Sequence, residues 1–293
     1  MADVSDAWVW LEGTVLPAAE ARVPVLDRGF LYGDSVYEVT RTFKGKPHLL
    51  GEHLDRLARS AAGLKMRLPP REEIAAATLA AAAAVPGSAA AGRGAIDVYL
   101  RIVVTRGAGE LGLDPMLADA PRLVVVARPV HPPPPEAYRD GVAVVISTRM
   151  RSAPSLKTGN YLESVLAVHE AREAGAHEAL LRDAVGRITE GSSSNVFVVR
   201  GGRIVTPPTF AGLLPGITRQ AVLTLARADG LAVDEAPLWP ADVTGADELF
   251  LTSSIRGVLP AVRCDGQPIG DGRPGPIARR VMARYAESTE GPP

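Results

Sequence analysis

Apolar and polar positions alternate in several short runs of the first half of the chain. The runs "WVWLEGTVL", "SVYEVTRTF", "AIDVYLRIVVT" and "RLVVVARPV" have the β-branched content and short period typical of strands. Leu54, Leu57 and Leu64 recur at helical spacing, which predicts a helix over 52–64. An alanine-rich stretch then predicts a second helix that ends at Val85. Hairpin-like strands with two helices indicate an α+β layer.

The pattern changes at a proline-rich stretch, "PVHPPPPEAYRDG", which spans residues 129–141. Four consecutive prolines cannot continue a helix or a central strand, so they predict a stiff extended linker. Beyond the linker, the strand runs "VAVVIST", "EALLRD", "NVFVVRGGRIVTP" and "ELFLTSS" alternate with helices predicted over 160–174, 218–229 and 275–286. The Gly201-Gly202 pair predicts a hairpin turn. The sequence therefore predicts a small domain at 1–130, a linker at 131–140 and a larger domain at 141–293.

Composition narrows the classes of protein that fit these elements. The 293 residues are 46% hydrophobic and 22% charged, and the formal net charge is −1. This charge indicates neither a nucleic-acid partner nor an anionic membrane partner. The single cysteine, Cys264, excludes an internal disulfide. The first residues lack the pattern of a signal peptide, and no apolar run approaches the roughly 18 residues of a membrane span. We therefore expect a soluble, cytoplasmic protein.

One short motif resembles a dinucleotide-binding loop, and its context argues against that function. Gly107, Gly109 and Gly112 have the GxGxxG spacing directly after a predicted strand. A dinucleotide site needs a helix that begins at the third glycine, whereas Pro115 and polar residues follow here. The sequence contains no GxxxxGK[ST] loop and no GxSxG elbow, and its five histidines show no metal-binding spacing. The sequence therefore predicts neither a nicotinamide site nor a metal site.

Several residues capable of chemistry lie far apart in the chain. Lys157 comes shortly before a predicted helix, and Glu190 lies among small hydroxyl residues before a predicted strand. Residues 215–218 begin another helix, whose N–H groups suit a phosphate. Arg56 is expected on the polar face of the first helix, and Ser254 lies at the end of a strand. Taken singly, each residue fits a surface or capping role. Together they supply the amine, the acid and the anion-binding groups that pyridoxal phosphate requires.

These residues lie in motifs that resemble the class IV (fold-type IV) pyridoxal-phosphate aminotransferases. The motifs run in order from "DRGFLYGDSVYEVTR" through "HLDRL", "YLRIVVTRG", "SLKTGNYL", "TEGSSSNVF" and "LLPGITR" to "DELFLTSSIRGVLPAVRCDGQPIG". The resemblance therefore covers nearly the whole chain. It implies a two-domain α+β and α/β fold, with a small α+β sandwich domain and a larger pseudo-barrel domain. It also implies pyridoxal 5'-phosphate as cofactor, amino acids and 2-oxo acids as substrates, and a homodimer or a multiple of dimers.

The resemblance also implies a role for each matching residue. Lys157 resembles the lysine that forms the Schiff base and moves the proton, and Glu190 resembles the partner of the pyridine nitrogen. The other cofactor contacts that the resemblance implies are Arg56, Tyr161, Ile217, Thr218, Ser254 and Ile255.

The substrate residues are implied in the same way. Tyr32, Arg41, Tyr99 and Arg101 resemble pocket and carboxylate-recognition residues of branched-chain aminotransferases. Arg106 resembles an arginine with which D-amino-acid aminotransferases trap the carboxylate. The resulting prediction is amino transfer from branched-chain L-amino acids to 2-oxoglutarate. A D-amino-acid aminotransferase, an aminodeoxychorismate lyase and a non-catalytic protein that binds the cofactor are the alternatives.

Overall fold

The computed structural model describes residues 6–92 and 95–290. The backbone divides into two compact units. The first unit is Met1–His131 with Leu156–Asn160, and the second unit is Pro132–Ser155 with Tyr161–Pro293. The short segment around Lys157 therefore groups with the first unit, although the division predicted from the sequence assigns it to the larger domain.

An antiparallel sheet of six strands, in the order β2-β1-β6-β5-β3-β4, forms the framework of the first unit. Its strands are β1 (Trp8–Leu11), β2 (Thr14–Pro17), β3 (Ser35–Phe43), β4 (Lys46–Pro47), β5 (Val98–Thr105) and β6 (Arg122–Pro129). Its helices are α1 (Arg28–Tyr32), α2 (Leu50–Gly63) and α3 (Arg71–Ala84). The two helices that the sequence predicts are α2 and α3, and both are present.

The core of the first unit lies between one face of this sheet and the helices α2 and α3. Val36 of β3 and Leu100 and Ile102 of β5 point to this face and are fully buried. They pack in one cluster with Leu57 of α2 and Ile74 of α3. Since burying one such side chain contributes about 1.5–3 kcal/mol, this face fixes the register of β3 and β5 and decides which residues point to the other side.

The second unit contains a mixed sheet in the order β12-β11-β10-β13-β14-β7-β8-β9, with β15 paired to β14. Its strands are β7 (Val142–Ile146), β8 (Glu178–Arg182), β9 (Ile188–Gly191), β10 (Asn195–Arg200), β11 (Arg203–Thr206), β12 (Val233–Glu235), β13 (Glu248–Ser253), β14 (Gly257–Cys264) and β15 (Gln267–Pro268). Its helices are α4 (Pro135–Asp140), α5 (Leu162–Glu173), α6 (Ile217–Ala228), α7 (Pro240–Thr244) and α8 (Pro276–Glu290). β10 and β11 form the hairpin that Gly201-Gly202 predicts.

Two elements of the second unit differ from the pattern read in the sequence. The helix α4 occupies part of the stretch predicted as an extended linker. Pro135 is its first helical residue, a position that favours proline because its N–H would have no helical partner. The strand β14 is not predicted from the sequence, because Pro260 lies in the middle of its run of apolar residues. In the structure, Pro260 lies opposite Phe250 of β13, and the parallel pairing with β7 begins only at Ala261.

Three features bear on the classes of function considered above. After Gly112 the chain forms a short 3₁₀ turn at Pro115–Leu117 and then β6, so the helix required by a dinucleotide site is absent there. Within residues 6–92 and 95–290, no helix is both long enough and apolar enough to cross a membrane. The same residues contain no group of three or more metal-ligating side chains placed to hold an ion.

Candidate active site

The segment that carries Lys157 pairs with β3 in the sheet of the first unit. The Tyr37 N–H donates to the carbonyl of Lys157 at 3.0 Å, and the Gly159 N–H donates to the carbonyl of Ser35 at 2.9 Å. The Lys157 N–H donates to Ser60 Oγ of α2 at 3.1 Å. Lys157 is therefore held at both its N–H and its carbonyl, which fixes the position of the backbone from which its side chain extends.

This pairing requires a glycine at position 159. A Cβ atom there would lie far inside the contact distance of Ser35 Oγ, and it would also approach the carbonyl of Gly33. The glycine of the "SLKTGNYL" motif therefore allows the lysine segment to lie against β3.

The side chain of Lys157 lies against an aromatic ring that the sequence analysis did not single out. Nζ is 4.5 Å from the ring centroid of Tyr37, and Cζ of Arg101 is 4.1 Å from the same centroid. Tyr37 is only 2% exposed. Two cations thus share one buried aromatic ring, an arrangement that cation–π attraction stabilises. The only sequence signal for this contact with Lys157 and Arg101 is the position of Tyr37 inside the motif "SVYEVTR".

One face of the first unit's sheet gathers several predicted substrate residues. In the pairing of β3 with β5, Val39 lies opposite Arg101, and Arg41 lies opposite Tyr99. Because side chains alternate along a strand, these residues and Tyr37 point away from α2 and α3. Three of the five predicted substrate residues therefore share the sheet face on which the lysine ammonium lies.

The three candidate arginines for a substrate carboxylate differ in their partners. Arg41 Nη2 donates to Asp97 Oδ2 at 3.2 Å. Arg106 donates to both oxygens of Asp34, at 2.7 and 3.1 Å, and to two backbone carbonyls just after α2. Arg101 has its ring contact, and no carboxylate in the described part of the chain pairs with it. Arg101 is thus the one of the three whose charge is not already matched by an acid there.

Tyr32 and Arg106 belong to a second cluster, built around Asp34. The Tyr32 hydroxyl accepts the N–H of Gly112 at 3.3 Å, and its ring centroid lies 4.9 Å from Cζ of Arg28. Arg28 donates to Asp34 Oδ2 at 3.0 Å. Burial, the largest single influence, acts to raise the pKa of Asp34, but hydrogen bonds from Arg106 and Arg28 hold that pKa below its usual value.

A buried charged cluster lies on the helix-facing side of the same sheet. Glu38 accepts from Arg56 Nε and from Arg56 Nη2, each at 2.7 Å, and Glu38 Oε2 also bonds to His53 Nδ1 at 2.7 Å. Burial acts to raise the pKa of Glu38, but the charge of Arg56 and the bonds from Arg56 and His53 lower it to about 2. The carboxylate is therefore ionised and fixes the plane of the guanidinium.

This cluster corrects the expectation for α2. Arg56 is expected on the polar face of this helix, yet it is buried together with His53 and Ser60. The face is polar because it meets Glu38 and Lys157 rather than water. The phosphate contact that the family resemblance implies for Arg56 stays a prediction.

The buried imidazole of His53 makes a pH-dependent contribution to stability. Burial, the largest influence, lowers the pKa of His53 below its ordinary value. Below about pH 6.5 the unfolded chain therefore binds a proton that the folded chain resists, so the stability present above that pH is lost as the pH falls. Glu38 does not titrate between pH 7 and pH 5, since its pKa is about 2.

We expect the free energy of unfolding to decrease from pH 7 to pH 5, and His53→Gln to weaken this decrease. His48 and His177 also have lowered pKa values, so part of the dependence remains in the variant. Urea denaturation at both pH values measures the effect. An unchanged pH dependence in the variant would show that His53 is not its source.

Glu190 is a buried acceptor in β9 of the second unit, with 4% exposure. Its Oε1 accepts from Arg151 Nη1 at 3.0 Å, and its Oε2 accepts from the N–H of Leu214 at 3.2 Å. Arg151 is itself 9% exposed. The position of the carboxylate is thus fixed by a guanidinium that no sequence motif marks, and the interpretation of Glu190 as a surface carboxylate is wrong.

The residues after Leu214 form the start of α6. Gly216 is the N-cap, and the first N–H groups of a helix have no acceptor within it. Asn195 Nδ2 donates to the carbonyl of Leu214 at 3.0 Å, and a Cβ at position 216 would collide with Asn195 Oδ1. Glycine is therefore required where the chain enters the helix. Such a helix start suits a phosphate dianion, and Thr218, the second helical residue, is buried beside it.

The other predicted cofactor residues of the second unit lie at element ends. Tyr161 is the N-cap of α5. Ser254 and Ile255 lie in the tight turn between β13 and β14. The second unit thus contains an acidic acceptor, a helix start and a hydroxyl-bearing turn, and the cofactor contacts that the family resemblance implies for them stay predictions.

Comparisons with known proteins agree on one family. Residues 35–264 match the family described as amino-transferase class IV. A protein of Methanocaldococcus jannaschii with the provisional name branched-chain-amino-acid aminotransferase is 36% identical over 285 residues, which cover 95% of each chain. The D-alanine aminotransferase of Bacillus licheniformis is 34% identical over 282 residues, which cover 96% of each chain.

The fold of a solved relative agrees as well. The T.th. branched-chain amino acid aminotransferase with pyridoxamine 5'-phosphate is 33% identical, with a TM-score of 0.88 over 97% of this chain and 94% of that one. The same enzyme has been solved with N-(5'-phosphopyridoxyl)-L-glutamate and with 4-methylvaleric acid, each with a TM-score of 0.86. The predicted fold is thereby confirmed. Because the family match spans well over half of the chain and the relatives span nearly all of it, the chain belongs to the class IV aminotransferases.

Proposed function

We propose that the chain transfers an amino group from branched-chain L-amino acids to 2-oxoglutarate, with pyridoxal 5'-phosphate as cofactor. Membership of the class IV family makes the chain an aminotransferase. The solved relative that bears the branched-chain name, with its pyridoxamine phosphate and phosphopyridoxyl-glutamate complexes, supports the cofactor and the substrates. The observation that carries the proposal is Lys157, whose backbone is held on both sides while its Nζ lies against the Tyr37 ring.

The residues of the chain suit this cofactor. The start of α6 would hold the phosphate through the N–H groups of Ile217 and Thr218. The family resemblance implies Arg56, Ser254 and Ile255 as further phosphate contacts. When bound, pyridoxal phosphate supplies an electron sink for the charge that develops as the substrate loses its Cα proton. Glu190 would accept a hydrogen bond from the protonated ring nitrogen and keep the proton there.

Lys157 would perform the proton transfer. Its Nζ would hold the cofactor covalently in the resting enzyme. Once the substrate amine replaces it, the free Nζ would remove the proton from Cα of the substrate and deliver it to C4′ of the cofactor. The buried Tyr37 ring shields one side of the amine from water, and the fixed backbone limits where Nζ can reach. Both features favour proton transfer over a short, defined path.

We assign the recognition of a substrate carboxylate to Arg101, because Arg41 and Arg106 already donate to aspartates. Arg101→Gln is expected to raise KM for 2-oxoglutarate about 10²-fold. An effect of this size corresponds to the loss of charge-assisted hydrogen bonds to a carboxylate. Arg41→Gln is the matched control, since Arg41 lies on the same face of the sheet. Steady-state kinetics with each substrate varied measures both KM values, and equal effects in the two variants would exclude the assignment.

The two substrates also distinguish which carboxylate Arg101 binds. L-leucine has only the α-carboxylate, whereas 2-oxoglutarate has a second, distal one. A rise in both KM values assigns Arg101 to the α-carboxylate. A rise for 2-oxoglutarate alone assigns it to the distal carboxylate.

Arg106 is expected to act through stability rather than through substrate binding. Arg106→Gln removes the bidentate pair with Asp34, which keeps its bond to Arg28. We expect the free energy of unfolding to decrease by about 1–3 kcal/mol, with KM for amino donors unchanged. Urea denaturation and kinetics on one preparation measure both. A raised KM for D-alanine at unchanged stability would instead favour the D-amino-acid aminotransferase.

A spectral half-reaction tests the proposed function as a whole. The absorbance of the bound cofactor is followed after addition of L-leucine, D-alanine or aminodeoxychorismate, each in a separate sample. We expect L-leucine to bleach the cofactor and 2-oxoglutarate to restore it. Bleaching by D-alanine alone would favour the D-amino-acid enzyme, and pyruvate release from aminodeoxychorismate would favour the lyase. A cofactor that no substrate bleaches would identify a non-catalytic protein.

A homodimer forms part of the proposal, and an apolar patch on the first unit supports it. The segments 23–31 and 107–116 are joined by a hydrogen bond from Arg28 Nη1 to the carbonyl of Gly112 at 2.8 Å. The large apolar side chains on these segments that are between 46% and 83% exposed are Val23, Val25, Leu26, Phe30, Leu111, Leu113 and Met116. Patches of this kind mark protein–protein interfaces.

A cytoplasmic location likewise remains a prediction from the sequence.

Light scattering at assay concentration tests the dimer. The wild-type protein should have the mass of two chains or of a multiple of two. The double variant Phe30→Asp with Leu113→Asp should be monomeric, because charges then lie in the apolar patch. Val185→Asp is the control, since Val185 is 63% exposed in a turn of the second unit. An active wild-type monomer would refute the dimer.

A further inference from the structure

We propose that Glu178 and Arg256 form a positioning pair that holds the turn of Ser254 and Ile255 in the shape that binds the cofactor phosphate. The inference rests on the proposed function, in which this turn contacts the phosphate. The sequence motifs assign no role to either residue. Both belong to the second unit, and the contacts described below lie within it.

Arg256 links three separate parts of the second unit. Its Nε donates to Ser253 Oγ at 3.0 Å, at the end of β13. Its Nη2 donates to the hydroxyl and the carbonyl of Ser193 at 2.9 and 3.2 Å, in the turn that follows Glu190. Its Nη1 donates to Glu178 Oε2 at 2.7 Å, at the start of β8. One guanidinium therefore connects the predicted phosphate turn to the loop beside the predicted ring contact.

Glu178 completes the connection from the buried side. It is 1% exposed, and its Oε1 accepts from the N–H and hydroxyl of Ser193 and from the hydroxyl of Ser192, at 2.6, 3.0 and 3.1 Å. Gly191 is required beside it, because a Cβ there would approach Glu178 Oε1. The carboxylate has two oxygens and four donors, so its orientation is strongly determined.

The turn itself is held at both of its ends. The backbone N–H of Arg256 donates to Ser253 Oγ at 3.3 Å, and the carbonyl of Arg256 accepts from the Tyr138 hydroxyl at 3.1 Å. Ser254 and Ile255 lie between these fixed points. Removing the guanidinium would remove the links from the turn to Ser193 and Glu178 and one of its two bonds to Ser253. The turn, with Ser254 and its hydroxyl, would then be held less tightly, whereas Glu190 keeps its own contacts with Arg151 and Leu214.

Because separate contacts hold the turn and Glu190, we predict a loss of affinity that is selective for the phosphate form of the cofactor. The full-length chain, freed of cofactor, is titrated with pyridoxal 5'-phosphate and, in parallel, with pyridoxal, which lacks the phosphate. We expect Arg256→Ala to weaken the binding of pyridoxal 5'-phosphate at least tenfold and to change the affinity for pyridoxal less than twofold. Ser253→Ala should show the same selectivity with a smaller effect. It serves as the second variant if Arg256→Ala does not fold.

A charge-preserving variant separates positioning from simple attraction. Arg256→Lys keeps the positive charge but cannot reach Ser253, Ser193 and Glu178 together. We therefore expect it to bind pyridoxal 5'-phosphate almost as weakly as Arg256→Ala. Full recovery of affinity in Arg256→Lys would overturn the inference, because charge alone would then explain the effect. Glu178→Gln should lose affinity for pyridoxal 5'-phosphate as well, and unchanged affinity in that variant would remove Glu178 from the pair.

The matched control is Arg284→Ala, which removes another partly exposed arginine of the second unit, bonded to Asp229 at 3.0 Å. It should leave both affinities unchanged. A wild-type chain that binds the two compounds equally would overturn the phosphate site of the proposed function and this inference with it. A wild-type chain that prefers the phosphate form, together with an unaffected Arg256→Ala variant, would overturn this inference alone.

Discussion

Lys157→Ala is expected to lower the rate of transamination by at least ~10³-fold, because the variant loses the general base and the covalent attachment of the cofactor together. The fold should persist. The backbone bonds that Lys157 makes to Tyr37 and Ser60 do not involve its side chain. Activity and the melting temperature are measured on the same preparation. Borohydride reduction followed by mass spectrometry should attach the cofactor to the wild-type chain and not to the variant.

Two further variants define what this result means. Lys157→Arg keeps a cation over the Tyr37 ring but cannot serve as the base, so its activity should match that of Lys157→Ala. Lys46→Ala removes an exposed lysine of β4 in the same unit and should have no effect. Near-normal turnover in a folded Lys157→Ala protein would refute the role of this lysine.

Glu190→Gln is expected to lower kcat by about 10²-fold or more and to leave KM nearly unchanged, since the bond that we propose from Glu190 to the ring nitrogen would matter most in the transition state. The structure adds a second consequence. Glutamine at this position would leave the buried Arg151 without its anion, so the free energy of unfolding should decrease by about 3–5 kcal/mol. Glu190→Asp keeps the charge with a shorter reach, and its kcat should lie between those of the wild type and Glu190→Gln.

Arg151→Gln is the control that separates the chemical effect from the structural one. It breaks the same ion pair from the other side and leaves the Glu190 carboxylate in place. The two variants should lose similar stability, measured by urea denaturation, while kcat should fall much further in Glu190→Gln. Equal kcat values would mean that Glu190 has a structural role only.

Local patterns predict those parts of the fold that local interactions determine. The periodicity of α2 and the run of β3 appear in the structure close to where they are predicted, because one buried face imposes its period on each element. Lys157 and Glu190 are candidates because of their motifs, and their roles stay predictions. Tyr37 lies in such a motif too, but its contact with Lys157 joins residues 120 positions apart, and no spacing rule connects them.

The burial of charged residues is the part that the sequence could not predict. A polar residue on an amphipathic helix is expected to be exposed unless its partner is known. The partner of Arg56 is Glu38, on a different element. Arg151 with Glu190 and Arg256 with Glu178 are likewise pairs between distant elements, 39 and 78 residues apart. Only the completed chain topology brings these charges together, so their burial follows from the tertiary fold.

The grouping of Leu156–Asn160 with the first unit has a consequence for synthesis of the protein on the ribosome. The carbonyl of Lys157 and the N–H of Gly159 bond to β3. The six strands of the sheet have therefore all been made when residue 131 has emerged, but the start of β3 still lacks these two hydrogen bonds. Domains generally fold as units, the N-terminal one first, but here the first unit receives its last segment only after residues 132–155 of the second unit have been made. Folding force measured on stalled nascent chains should therefore rise further once residue 160 has left the exit tunnel, and Lys157, the proposed catalytic lysine, emerges with this segment.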